Sequence, residues 1–168
     1  YMIGLPWDLE VLYHNGKQMM HWSADHNPEA LVETDDPLRS VGMPVPDGYN
    51  PTIWRIKLPS VTITPPGYSA IWTHPFNRYD LPFLVMTGIV DTDKCHRGMV
   101  SNIYLRENFE GVIEKGTPIM QVFPFKRENW EKQDLEYNPD FGLQVSYETG
   151  SVISKAYQRF HWTKKTYQ

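Results

Sequence analysis

A chain of 168 residues is long enough for one domain with a sizeable core, and its 14 Pro and 11 Gly argue against a mainly helical fold and for an all-β one. The net charge of −4 speaks against a basic face that grips nucleic-acid phosphates. Cys95 is the only cysteine, which excludes an intrachain disulfide and a thiolate zinc cluster and is compatible with a reducing cytoplasm. No apolar run approaches the ~20 residues of a membrane helix. Pro6, Asp8 and Glu10 interrupt the start, so no signal peptide is expected. Six Trp and ten Tyr exceed what the core needs, and some are expected at an interface, where both are favoured anchors.

In chain order, residues 10–13 and 18–22 read as paired strands around His14-Asn15-Gly16-Lys17. Asn-Gly after an apolar run is a strong hairpin signal. Residues 23–50 are rich in Asp, Glu, Pro and Gly and read as a long surface loop with a turn of helix near 28–32. Loops of that length in a compact domain are often functional. Residues 52–58 alternate as a half-buried strand, 61–64 read as another, and Pro65-Pro66-Gly67 as a tight turn into a strand at 68–73. Residues 74–82 form a loop.

The stretch 81–125 organises the rest. Leu84, Val85, Met86, Ile89 and Val90 make an apolar run broken only at Thr87-Gly88, which predicts a strand buried on both faces. It stops at Asp91-Thr92-Asp93. Residues 99–105 alternate, and 112–113 with 119–125 read as a hairpin about Glu114-Lys115-Gly116-Thr117. Beyond residue 125, Asn129 is expected to cap a short helix with Trp130 facing in, 139–150 to be loop, and 151–165 to be a helix with Val152, Ile153, Ala156, Tyr157 and Phe160 on one face. There is no internal repeat. One domain is expected: a core at 51–125, an N-terminal hairpin and loop at 1–50, and an extension at 126–168.

Gly88-Ile89-Val90-Asp91-Thr92-Asp93 with Arg97-Gly98, followed by Gly116-Thr117-Pro118-Ile119-Met120-Gln121-Val122, resembles the third and fourth motifs of the dUTPase and dCTP deaminase family, in order and in spacing. The resemblance covers about a third of the chain. It implies an all-β β-clip, or distorted jelly roll, here with a C-terminal helix, and a homotrimer. In that family the first Asp of the motif orients or activates water, a general-base task. The resemblance thus makes Asp91 and Asp93 the candidate catalytic residues, with Mg²⁺ the cofactor of a hydrolase and no cofactor otherwise. The departures are specific. Lys94-Cys95-His96 stands where the family has a base-stacking Tyr, leaving His96 as the candidate to stack. The Arg-Ser motif has no counterpart, although Arg78 offers charge. Pro66-Gly67-Tyr68-Ser69 echoes the first motif without its acid. The glycine-rich fifth motif is absent, Gly150 being the last glycine. The chain also looks like a set of uncharacterised phage and bacterial proteins that carry P-P-G-Y-S, H-P-x-N-R and E-K-G-T-P patterns.

Each candidate has a plainer alternative. Asp-Thr-Asp readily makes an Asx turn at a strand end. His74, Asn77 and Arg78 are a candidate ligand site, or simply a hydrogen-bonded loop. His21, Asp25 and His26 are possible metal ligands, but their spacing fits no known metal motif and favours surface histidines. No metal site is expected. Cys95 beside His96 reads as an ordinary thiol. With three of five family motifs missing, the expectation is a non-catalytic binding or assembly module of a phage, in the cytoplasm or the virion, with other phage proteins as possible partners. The alternative is a diverged nucleoside triphosphate hydrolase using Asp91 and a divalent metal.

Overall fold

The computed structural model describes residues 1–22, 32–34, 42–134, 136, 138–150, 159 and 162–164. The chain divides into two compact units, Tyr1–Glu128 and Asn129–Gln168. The expected helix at 151–165 lies almost wholly outside the described residues, as do most of the 23–50 loop, Asp25 and His26.

The first unit is all β. Its strands are β1 (Met2–Gly4), β2 (Leu9–His14), β3 (Lys17–Trp22), β4 (Val32–Thr34), β5 (Tyr49–Lys57), β6 (Tyr68–Thr73), β7 (Phe83–Val85), β8 (Gly88–Val90), β9 (Val100–Arg106), β10 (Gly111–Ile113) and β11 (Pro118–Lys126). Among the described residues they form antiparallel sheets in the orders β1-β11-β6-β8, β10-β2-β3 and β4-β5-β9-β7. One core joins them, with Leu5, Leu9, Val11, Ile56, Phe83, Ile103, Leu105, Ile119 and Met120 almost fully buried.

Local chemistry explains the turns. The β2–β3 hairpin closes on Asn15 and Gly16, both at positive φ (50° and 74°), which matches the twist of the flanking strands. Between Pro65 and Tyr68 the backbone N–H of Tyr68 donates to the Pro65 carbonyl at 3.2 Å. Pro66 presets φ and Gly67 takes φ 85°.

The structure corrects the expectation for residues 84–90. They are not one strand buried on both faces. β7 pairs with β9, whereas β8 pairs with β6 in a different sheet. The chain changes sheet at Met86-Thr87, where Met86 N–H donates to Asn102 and the Thr87 and Thr73 hydroxyls meet at 2.7 Å. β8 is an edge strand, and Ile89 is 67% exposed. The apolar run therefore spans two short strands in different sheets, of which β7 buries Phe83 and Val85 while β8 leaves Gly88 and Ile89 exposed. Nor do residues 112–125 form a hairpin. The turn itself exists, with Thr117 N–H on the Glu114 carbonyl, but β10 joins β2 while β11 joins β1 and β6. Leu5 separates them by exchanging backbone bonds with Gly116 and Thr117. Residues 61–64 are not a ladder strand. They are tied down singly, by Thr64 N–H to Thr92 and by the Thr62 hydroxyl to the Met99 sulfur.

In the second unit, residues 129–134 contain no helix and Trp130 is 87% exposed, against expectation. Gln133 and Asp134 give Trp130 no apolar neighbour one turn ahead, so little apolar surface is available there to stabilise a helix. Conversely, 139–150 is not loop but helix α1 (Pro139–Gly150). The Asn138 side chain caps it by accepting the Asp140 N–H at 3.0 Å, Pro139 opens it, and Asp140 suits its positive end.

Glycine positions give a direct test. Gly116 has φ 86°, so a β-branched side chain is strained there. Gly88, although it breaks an apolar run, has ordinary φ and open space where a Cβ would stand. Gly116→Val should cost about 1–3 kcal/mol in a denaturant melt, and Gly88→Ala should leave the midpoint essentially unchanged. Equal effects of the two would contradict this placement.

Candidate functional site

The two acids of the central motif meet an arginine that sequence reasoning did not select. The register Phe125↔Ser69 and Lys126↔Tyr68 carries the end of β11 along the start of β6. Arg127 follows, and its backbone N–H donates to the Gly67 carbonyl at 2.8 Å. On the other side of β6, Ala70 pairs with Val90, so Asp91 comes level with Ser69. Both neighbours of the same strand end thus deliver their charges to one place.

The Arg127 guanidinium forks onto Asp93, with Nη1 on Oδ1 at 3.0 Å and Nη2 on Oδ2 at 2.5 Å. Its Nη1 also reaches Asp91 Oδ1 at 3.1 Å, Ser69 Oγ at 2.8 Å and the Tyr68 carbonyl at 2.9 Å. Asp93 Oδ2 accepts the Gly67 N–H at 2.8 Å, so the Pro-Pro-Gly turn supplies a backbone donor. The Ser69 hydroxyl donates to Asp91 Oδ1 at 2.7 Å. The Asp93 side chain is only 5% exposed, whereas that of Asp91 is 57% exposed. Between them Thr92 is fully buried, its hydroxyl 2.7 Å from that of Thr64. The alternation explains the order. One residue of Asp-Thr-Asp enters the interior, and its two neighbours turn to the guanidinium.

The charges act on ionisation as expected. The Arg127 fork, then the Gly67 N–H, hold the Asp93 carboxyl down to about 2. The plainer Asx-turn alternative is not what is seen either. The turn closes through the Asp91 backbone carbonyl, which accepts from Lys94 and Cys95.

The other candidates lie elsewhere. His74, Asn77 and Arg78 sit in the loop between β6 and β7, at the far end of β6 from Ser69, roughly 17 Å away along the strand at ~3.3 Å per residue. His74 Nδ1 accepts the Val85 N–H at 3.3 Å, which leaves Nε2–H to donate to the Arg78 carbonyl at 3.0 Å. The ring meets Phe83 edge-on. His74 therefore braces its loop. Asn77 holds positive φ (61°), a conformation asparagine tolerates. Arg78 forks onto Asp80 at 2.8 Å on the surface. His96 is exposed, three residues past Asp93, and is not joined to the 74–78 loop. Cys95 is a free, exposed thiol. His21 is exposed on β3, and among the described residues no group of three His, Cys, Asp or Glu is placed to hold a metal ion.

Comparison with family models, with curated proteins and with solved structures finds nothing that matches this chain.

Proposed function

We propose that this chain is a non-catalytic binding or assembly module on a dUTPase-like β-clip, acting as a homotrimer, encoded by a phage and carried in the virion or the host cytoplasm. The motif order in the sequence and the all-β architecture support the fold assignment. The observation that carries the functional reading is the occupation of the two acids by Arg127. Both Asp93 oxygens accept hydrogen bonds from this chain, and Asp91 Oδ1 accepts two. A general base needs a lone pair aimed at the proton it removes, and phosphoryl transfer needs cations aimed at the phosphates. Here Arg127, the cation bonded to the motif acids, is held by them. The cluster instead fastens the end of β11 to the β6 turn and to the 91–95 turn.

The alternative is a diverged nucleoside triphosphate hydrolase that uses Asp91 with a divalent metal. Its support is the 57% exposure of the Asp91 side chain. The two readings separate in one assay: release of phosphate or pyrophosphate from each deoxynucleoside triphosphate with Mg²⁺ or Mn²⁺ present. The expected result is background turnover, equal in wild type and Asp91→Asn. Turnover that falls about 10²–10⁴-fold in Asp91→Asn, the loss expected for a general base, would establish the hydrolase instead.

A further inference from the structure

The β10-β2-β3 sheet carries a second cluster, on a different sheet from Asp91. Leu9 and Val11 of β2 are fully buried, so Glu10 points the other way, and Asp8 precedes it on the same side. Glu10 lies opposite His21 on β3 and opposite Val112 on β10. These residues and Trp22 line an open surface cavity of about 440 Å³, in which Asp8, Glu10, His21 and Val112 are exposed and Trp22 is half-buried. Its walls are two carboxylates, an imidazole, an indole and one aliphatic side chain.

We infer that this cavity binds an organic cation: a primary ammonium or guanidinium group on a short apolar stem. The carboxylates repel anions. Among the described residues nothing hydrogen-bonds or ion-pairs with the Glu10 carboxylate. Asp8 is held in place, because its Oδ1 accepts the Lys115 N–H at 2.6 Å, and its other oxygen remains available. Two carboxylates two residues apart on one strand face stand roughly 7 Å apart at the backbone. A group with several N–H donors can bond both, whereas the residues are not placed to hold a metal ion. The indole adds attraction for a cation over its face, and Val112 and Trp22 give the stem apolar surface. Charge-assisted bonds fix the head while the stem displaces water. This site depends neither on oligomeric state nor on the absence of catalysis.

The test uses the full chain and n-butylammonium chloride, followed by ¹H–¹⁵N NMR and calorimetry. Saturable shifts at Asp8, Glu10, His21, Val112 and the Trp22 indole are expected at millimolar concentration. n-Butanol and sodium chloride should produce none of them. Glu10→Gln, an exposed position, should weaken binding about tenfold or more, the worth of one charged hydrogen bond. Asp8→Asn keeps the acceptor for Lys115 and should weaken it similarly. An Nα-acetyl-lysine amide distinguishes the source of the cation. Binding equal to butylammonium assigns the site to a side chain of a polypeptide, and binding of the free amine alone assigns it to a small molecule. Absence of saturable shifts, identical shifts with n-butanol, or unchanged affinity in both carboxylate variants would overturn the site.

Discussion

Replacing the half-buried Arg127 by methionine is expected to lower the melting temperature by several degrees. Methionine keeps much of the side-chain stem and removes only the guanidinium. Asp93, 5% exposed, is then left with the Gly67 N–H and the more distant Lys94 charge but no bonded cation, and an interior carboxylate without its partner is strongly destabilising. The Ser69 hydroxyl and the Tyr68 carbonyl lose a donor as well. The acid limb should change with it. In the wild type the Asp93 carboxyl is held to about 2, below its unfolded value of about 3.9. Its contribution is therefore complete above about pH 4 and lost as pH falls towards 2. The exposed Arg78–Asp80 pair, whose carboxyl is also held to about 2, adds to the same window, but it is present in both proteins and cancels. The variant should lose less stability than the wild type between pH 4 and 2. Adding Asp93→Asn to the variant should restore part of the loss, because a neutral amide needs no counter-charge. Circular dichroism melts down to about pH 2 measure all of this. A wild-type melt in Arg127→Met would remove the clamp from the account.

The second large effect concerns mass. Light scattering at micromolar concentration is expected to give three copies of the chain, and Ile89→Arg to give one. The β1-β11-β6-β8 sheet carries apolar residues on both faces. Ala70, Met120 and Val122 face the core. On the other face the register aligns Ile89, Ile71 and Phe123 in one row across three strands, with Phe125 beside it. Phe76 stacks on Phe123, with ring centroids 5.0 Å apart, and is itself 60% exposed. A contiguous apolar face of this kind is a mark of an association surface, and β8 offers an unpaired strand edge next to it. An arginine in the middle of such a contact would bury a charge without a partner. A monomeric wild type would exclude the trimer, and a trimeric Ile89→Arg would place the contact elsewhere.

Much of the all-β unit is legible in the sequence, because local rules act without competition there. Asn15-Gly16 and Pro66-Gly67 leave the backbone little choice, and the alternation at 52–58 and 99–105 has a single buried solution. The sheet change at Met86-Thr87 is not legible. An apolar run has the same pattern whether one strand buries both faces or two short strands join different sheets, one of them at an exposed edge. Helix α1 carried its signal in Asn138-Pro139-Asp140, but Gly142 and the exposed Phe141 and Leu143 hide any amphipathic stripe. Arg127 is hidden for a different reason. It stands 34 residues from Asp93 and 36 from Asp91, and only the β11–β6–β8 register brings the three together. The acids are visible as a motif, whereas what neutralises them is a property of the sheet.

The central claim is that the partner of the motif acids is Arg127. Carboxyl ¹³C NMR of Asp93 across acid pH tests it most directly, with and without Mg²⁺. The account predicts a titration near 2, unmoved by Mg²⁺. An ordinary carboxylate titration near 3.9, or a resonance that shifts when Mg²⁺ is added, would contradict it.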